Sequence, residues 1–302
     1  MSATVQATHR ADLAAGYARC AELTREYGTT YFWGALLLPR PQRRHVHAIY
    51  ALCRLADDIV DAPGATSGEA TGTAAALQRF RSQFDQALAG DPADDTLAAV
   101  AHTVAECRID PACFDRFFAA MRTDLSVTRY RTWEDLRCYM DGSAAVIGEM
   151  MLPVLRPTSD LAVAPARMLG EAFQLTNFLR DVGEDLDRCR VYLPQEDLDR
   201  FGADPWARRV DGAWRALMRF QIARNRALYA EAWEGQRWLP ATSARCVATA
   251  HQLYSRILER IERRDYDVFS GRARVPTWRK AGVALRTTVA GPPRRSPVAR
   301  WT

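Results

Sequence analysis

Two clusters of acidic residues are the side chains of this sequence best suited to do chemistry. They consist of Asp57, Asp58 and Asp61 in the first cluster and Asn177, Asp181 and Asp185 in the second. Residues four apart on a helix are neighbours, so each cluster places its polar side chains on one helical face. Because stacked carboxylates repel one another, the clusters favour bound cations, and oxygen ligands without His or Cys nearby favour Mg²⁺ or Mn²⁺ over zinc. Mg²⁺ held by few carboxylates takes its other ligands from water and phosphate, so the pattern predicts a substrate that carries a diphosphate.

Arginines flank both clusters. Arg54 precedes Asp57 by three residues, and Arg188 and Arg190 follow the second cluster. Guanidinium groups bind phosphate oxygens in pairs, which favours a role in holding the diphosphate. The structural alternatives are a surface ion pair for Arg54 and favourable placement near a helix C-terminus for the other two. The functional interpretation is stronger at the second cluster, because Gln174 extends its polar stripe along a helix with apolar neighbours, where unpartnered carboxylates are costly.

The elements that must position these side chains are helices. Apolar residues recur with helical spacing over nearly the whole chain, and few segments alternate with period two. Helices over 41–61 and 165–186 are predicted to carry the two clusters, and a third is predicted over 133–152. We therefore predict an all-α fold, a single-domain helical bundle over residues 1–286. A basic and disordered tail is predicted over residues 287–302.

A stretch rich in small residues, from Tyr139 to Gly148, lies between the clusters. Small side chains permit close approach either by another helix or by a long flat ligand, and the sequence leaves both open. The glycines do not form a nucleotide-binding loop, because their spacing is wrong and no strand precedes them.

Composition limits the classes of function. The 302 residues are 48% hydrophobic and carry a formal charge of +5, almost entirely from arginine, since Lys280 is the only lysine. Acidic residues are interleaved with the basic ones, which argues against nucleic-acid binding. No apolar run approaches the ~20 residues of a membrane span, and 1–10 lacks a secretory signal, so a cytoplasmic location is expected. There are two alternatives for the basic tail. It is either a solvated terminus or a segment attracted to the anionic surface at the inner face of a membrane.

Together these motifs resemble the squalene/phytoene synthase family, and within it the bacterial phytoene synthases. The resemblance runs from about Tyr27 to Lys280, and it is carried by the segment from Tyr50 to Asp61, the small-residue stretch and the segment from Gln174 to Pro194. It implies an isoprenoid-synthase helical bundle around a central cavity, with the two acidic helices facing each other across it. Cys189 departs from the family pattern, which usually has glycine there.

The resemblance also implies roles for individual residues. Mg²⁺, or alternatively Mn²⁺, would be bound by Asp57, Asp58, Asp61, Asn177, Asp181 and Asp185. Diphosphate contacts would come from Arg54, Arg180, Arg190 and Arg272, in addition to Arg188. The side chains near the reacting carbons would be Tyr50, Tyr139, Gln174 and Tyr254, with Arg54 beside them.

The implied reaction joins two geranylgeranyl diphosphates head to head, through a cyclopropyl diphosphate, to give phytoene in carotenoid biosynthesis without NADPH. One alternative is a squalene or dehydrosqualene synthase that uses farnesyl diphosphate. An alternative of another class is a non-catalytic scaffold with the same fold, against which the two complete sets of metal ligands argue. The apolar product suggests peripheral contact with a membrane, and the oligomeric state is left open.

Overall fold

The protein is an all-α bundle in the computed structural model, which describes residues 2–62, 70–273 and 275–293. Within these ranges the β pairing consists of one isolated bridge between Arg129 and Val191. The prediction of an all-α fold is confirmed.

Thirteen α-helices lie in the described part of the chain. The first six are α1 (Ser2–Tyr27), α2 (Thr29–Ala35), α3 (Arg40–Val60), α4 (Ala70–Leu88), α5 (Asp95–Cys107) and α6 (Pro111–Thr123). The next four are α7 (Trp133–Met140), α8 (Val146–Leu155), α9 (Val163–Asp187) and α10 (Gln195–Phe201). The last three are α11 (Gly212–Trp233), α12 (Ala241–Arg263) and α13 (Thr277–Ala290).

Helices α3 and α9 carry the two acidic clusters, as predicted. Helix α3 has Pro41 in its first turn, where the missing amide proton is tolerated, and buries Val46, Ile49 and Val60 on one face. It packs against α1, α5 and α8, whereas α9 packs against α8, α11 and α12. These neighbours hold the two helices on opposite sides of a shared interior.

The predicted helix over 133–152 is interrupted, so this prediction was wrong in detail. Residues Asp141–Ala145 form a π-helix between α7 and α8. A Cβ atom on Gly142 would lie 2.8 Å from the backbone oxygen of Arg116, and one on Gly148 would lie 2.2 Å from that of Ala166. The small-residue stretch therefore permits close helix packing, and a wider π turn is a common feature of helices that carry functional sites.

Three helices were not predicted. Helices α2 and α10 have 7 residues each, which is too short for a helical period to be recognised. Helix α13 extends past Thr287, where the tail was predicted to begin, because Val283, Ala284 and Thr287 form a buried face. Residues 294–302 of that predicted tail lie outside the described residues.

None of the helices that the structure describes combines the length and the apolar character needed to cross a bilayer.

Candidate active site

A large cavity occupies the interior between α3, α8, α9 and α12. Its empty volume is about 1050 Å³, counted together with the space where it opens to solvent. Its walls include Val46 of α3, Ile147 of α8, Phe173 of α9 and Val247 of α12. The small-residue stretch contributes Ser143, Ala144 and Gly148 to the wall. The interpretation as a helix contact is confirmed, and because the stretch also borders the cavity, contact with a ligand there stays a prediction.

The first acidic cluster lies at the C-terminal end of α3. Asp57 is partly buried, and its loss of water contact, with Asp61 and Asp124 nearby, raises its pKa to about 8. Asp58 is exposed and forms an ion pair with Arg54, whose guanidinium also lies 4.3 Å from the centre of the Tyr27 ring. The surface ion pair considered for Arg54 is therefore present.

The second cluster is held by arginines. Two arginines bind the buried carboxylate of Asp181: Arg180, at 2.6 and 2.5 Å, and Arg272, at 2.9 Å to each oxygen. Arg272 also lies 2.9 Å from Glu184. Burial, with Asp181 nearby, raises the pKa of Asp185 well above its usual range. Arg180 and Arg272 therefore bring two positive charges to an end of α9 where Asp181, Glu184 and Asp185 supply the carboxylates.

The two clusters meet through the arginines that follow α9. Arg188 lies 4.0 Å from a carboxylate oxygen of Asp61 on α3 and 3.9 Å from one of Asp185 on α9. Arg190 is buried and donates to Asp61 at 2.6 Å and to the backbone oxygen of Val60 at 2.8 Å. The carboxylates predicted from separate motifs are therefore neighbours, with guanidinium groups between them.

The oxygen atoms of the two acidic clusters decide whether this site suits a metal ion. Among the described residues, no three carboxylate, His or Cys side chains are grouped closely enough to hold a metal by themselves. The carboxylates of Asp61 and Asp181 are directed towards arginines instead. However, Oδ1 of Asn177 is buried without a hydrogen-bond partner, and the raised pKa values of Asp57 and Asp185 reflect buried negative charge. An oxygen-only donor set with this much unbalanced charge suits Mg²⁺ that completes its shell with water and phosphate.

A group of aromatic rings lies at one end of the cavity. Tyr31 contacts Tyr50, Phe173 and Tyr254, with ring centroids 5.7, 5.7 and 5.3 Å away. Tyr31 and Phe173 line the cavity directly, as does Gln174. Tyr50 and Tyr254 thus lie behind Tyr31, which the sequence did not single out as a site residue. This part of the cavity wall is therefore aromatic.

Tyr139 lies in a different group, around a carboxylate that the sequence did not single out. Its hydroxyl donates to Asp124 at 2.5 Å, and Tyr192 donates to the other oxygen of that carboxylate at 3.1 Å. Burial raises the pKa of Asp124 to about 6, although Arg190 and both hydroxyls act in the opposite direction. Asp124 therefore joins the tyrosines to the arginine that holds Asp61.

Comparison with known proteins identifies the family. Residues 24–279 match the family described as squalene/phytoene synthase. The chain belongs to the squalene/phytoene synthase family. Among its relatives, a 15-cis-phytoene synthase from Synechococcus elongatus is 39% identical over 89% of this chain and 91% of its own length. A phytoene synthase from Arthrospira platensis is 40% identical over 87% of this chain and 89% of its own length.

Solved structures of this family share the fold. A dehydrosqualene synthase in complex with ligand superposes with a TM-score of 0.84 at 26% identity, covering 93% of this chain and 98% of that one. A squalene synthase from Alicyclobacillus acidocaldarius gives a TM-score of 0.75 at 30% identity, covering 85% of this chain and 97% of that one. The chain is accordingly a prenyltransferase of a family that uses prenyl diphosphates and generally depends on a divalent metal.

Cys189, the departure from the family pattern, has a backbone φ of +59°. This left-handed conformation costs a residue with a Cβ atom roughly 1–2 kcal/mol, which accounts physically for glycine at this position. The turn nevertheless forms, because the Arg190 amide bonds the Asp185 carbonyl at 2.8 Å. This hydrogen bond closes the turn that leads from α9 into Arg190.

Proposed function

We propose that this enzyme is a phytoene synthase, which condenses two geranylgeranyl diphosphates head to head. The observation that carries the proposal is the 39–40% identity to proteins named 15-cis-phytoene synthase and phytoene synthase over nearly the full length of both chains. The arrangement of the site supports it, because the helices that carry the acidic clusters, α3 and α9, also contribute residues such as Val46 and Phe173 to the wall of a large apolar cavity.

The acidic residues hold Mg²⁺ in this proposal. The ligands are the six side chains of the two clusters: Asp57, Asp58, Asp61, Asn177, Asp181 and Asp185. When bound, Mg²⁺ offsets the negative charge that develops on a departing diphosphate. The buried and unpartnered Oδ1 of Asn177 and the raised pKa values of Asp57 and Asp185 support this role.

The arginines exchange partners when substrate binds. In the structure Arg180 and Arg272 bind Asp181, and Arg188 and Arg190 lie against Asp61. Once a cation occupies the carboxylates, these guanidinium groups can bind diphosphate oxygens in the same positions, where their paired donors match the geometry. Arg54, which bridges Asp58 and the Tyr27 ring, would act at the exposed rim of the site.

The cavity determines the fate of the carbocation. In the first step the C1–O bond of one substrate ionises, the double bond of the other attacks C1, and proton loss gives a cyclopropyl diphosphate. In the second step the remaining diphosphate leaves, the ring opens, and a second proton loss gives a conjugated triene. The rings of Tyr31 and Phe173, which line the cavity with Tyr254 packed behind them, would exclude water from the cation and offer it aromatic surface. Neither step consumes a reductant.

A product assay tests the proposal. Purified protein with geranylgeranyl diphosphate and Mg²⁺, without NADPH, should give a 40-carbon triene and two diphosphates per triene, and neither with EDTA present. Asp57→Asn and Asp181→Asn should each lower turnover by about a hundredfold or more. The matched control is Asp115→Asn, which removes an exposed carboxylate paired with Arg81 and should keep normal turnover. Near-normal activity of Asp57→Asn would refute the metal assignment.

The structural neighbours favour one second candidate. A dehydrosqualene synthase gives a TM-score of 0.84, so an enzyme that joins two farnesyl diphosphates would have the same fold. A 30-carbon product in preference to a 40-carbon one would support this candidate. A non-catalytic scaffold would give no hydrocarbon from either substrate.

A further inference from the structure

Four charged side chains form one ion-pair network next to the small-residue stretch. They come from α6, the start of the π turn, α8 and α9, and are Arg116, Asp141, Glu149 and Arg167. Arg116 donates to Glu149 at 3.1 Å and lies 3.7 Å from Asp141. Arg167 donates to both Glu149 and Asp141. Each arginine therefore contacts both carboxylates, and the network as a whole is neutral.

The π turn is what brings the two carboxylates of this network to one face. Asp141 and Glu149 are eight residues apart. In an uninterrupted α-helix this spacing would place them roughly 80° apart around the axis, at ~100° per residue. The π turn between them takes up one extra residue, so the spacing corresponds to about seven α-helical residues and leaves the carboxylates roughly 20° apart. If the segment relaxed to an α-helix, the guanidinium of Arg167 would lose one of its two partners.

The cavity wall is built from residues next to this network. Those within three positions of a network residue are Ser143, Ala144, Gly148 and Ala166. The backbones touch there, because a Cβ atom on Gly148 would lie 2.2 Å from the backbone oxygen of Ala166, and one on Gly170 would lie 2.3 Å from that of Ala144. Since such close packing leaves little free space, a shift of the π turn moves the wall of the cavity with it.

We propose that the ion-pair network holds the π turn in register, and that Asp141 and Arg167 are positioning residues through which the cavity selects substrates by tail length. This inference rests on the proposed function, because it concerns the prenyl tails of those substrates. With the π turn fixed, the wall keeps one distance from the tail, and tails of 15 and 20 carbons are bound unequally. Partly exposed ion pairs contribute little to stability, so a purely structural role would leave this selection unchanged.

Two measurements on the full chain test the network. In the first, equal concentrations of geranylgeranyl and farnesyl diphosphate are supplied, and the ratio of 40-carbon to 30-carbon product is compared with that of the wild type. Arg167→Gln and Asp141→Asn should each move this ratio about threefold or more towards one, because a wall that is no longer held discriminates less between the tails. The double variant should move it no further than the larger single effect, since both changes break the same contact.

The second measurement is amide hydrogen exchange over residues 142–148 without substrate. These amides should exchange faster in both single variants than in the wild type, because the π turn opens more often. Exchange needs no catalysis, so it tests the network even if the wild type forms neither product, a result that would instead refute the proposed function.

The matched control is Arg226→Gln, which removes two hydrogen bonds to Glu262 between α11 and α12. It should leave both the product ratio and the exchange of the π turn unchanged. Arg167→Lys keeps the charge but lacks the paired donors, so it should fall between the wild type and Arg167→Gln. A product ratio that stays at the wild-type value in Arg167→Gln and Asp141→Asn would overturn the proposal, and so would an equal shift in Arg226→Gln.

Discussion

Single side chains of this site depend on partners distant in sequence. Asp61 on α3 is bound by Arg190, and Asp181 on α9 is bound by Arg272, 91 residues away. The sequence identified these residues because the acidic clusters have helical spacing and because the chain resembles a known family. It did not identify Asp124, whose tyrosine partners lie 15 and 68 residues away, since an isolated acid at the end of a helix carries no pattern of its own.

Asp57 predicts a pH dependence of stability in the metal-free protein. Its folded pKa of about 8 lies above the unfolded value of ~3.9. A raised folded pKa means that the protonated carboxyl favours the fold, and this contribution is lost as the pH rises through 8. Between pH 7 and 9 the loss should be about 1 kcal/mol in the free energy of unfolding. Urea denaturation with EDTA measures it.

The range from pH 7 to 9 isolates this carboxyl from the buried histidines. Burial lowers the pKa values of His47 and His251 to about 4, so their effect on stability appears only as the pH falls below 6.5. Asp57→Asn should lose less stability than the wild type over this range, by about 1 kcal/mol, while Asp185 and the buried thiols keep their own contribution in both proteins. Saturating Mg²⁺ should offset the part of the loss that comes from Asp57 in the wild type. If the free energy of unfolding of Asp57→Asn fell with pH as steeply as that of the wild type, the effect would not originate in Asp57.

Asp124 is predicted to be a positioning residue for Tyr139 and Arg190. Asp124→Asn keeps the shape but leaves one of two buried tyrosine hydroxyls without an acceptor, at a cost of about 1–3 kcal/mol. We expect kcat to fall about 10- to 100-fold, as for other groups that orient a metal site, with a higher Mg²⁺ requirement. Steady-state kinetics at varied Mg²⁺ measures both.

A matched comparison is Tyr192→Phe, which removes one donor to Asp124 and should have a smaller effect than Asp124→Asn. An unchanged Mg²⁺ requirement in Asp124→Asn would restrict this residue to a purely structural role.

Whole helices were predictable where they are long and amphipathic. The helices carrying the clusters were predicted at 41–61 and 165–186 and are observed at Arg40–Val60 and Val163–Asp187. The π turn at Asp141–Ala145 was not predictable, because it depends on how closely α6 and α9 approach the small residues. Contacts between helices, rather than local propensity, determine such a feature.

Helix packing predicts a difference between two glycines. Gly148→Ala would place a Cβ atom 2.2 Å from the backbone oxygen of Ala166 and must push α8 away from α9. We expect a loss of about 1–3 kcal/mol in the free energy of unfolding, together with lower activity because the cavity wall moves. At Gly212, the first residue of α11, a Cβ atom meets nothing within 4 Å. Gly212→Ala should therefore be neutral or slightly stabilising in thermal denaturation. Equal stability of the two variants would show that the helices separate freely.

At the scale of the whole molecule, α3 and α9 each carry charged groups near their C-terminal ends and line the large apolar cavity with residues nearer their middles. The sequence and the family resemblance predicted this architecture and the charged ends of α3 and α9. They did not predict that arginines bind the carboxylates of the clusters, or that the ring of Tyr31 lies between the cavity and Tyr254. Both features follow from the three-dimensional packing. Substrate length depends on that packing as well, because it is set by the walls of the cavity.

A competition experiment tests the proposed reaction most directly. The enzyme is given equal concentrations of geranylgeranyl and farnesyl diphosphate with Mg²⁺ and without NADPH, and the 30-, 35- and 40-carbon hydrocarbons are quantified by mass spectrometry. A phytoene synthase should form mainly the 40-carbon triene. A predominance of the 30-carbon product would contradict the proposed substrate and assign the enzyme to the squalene and dehydrosqualene branch of its family.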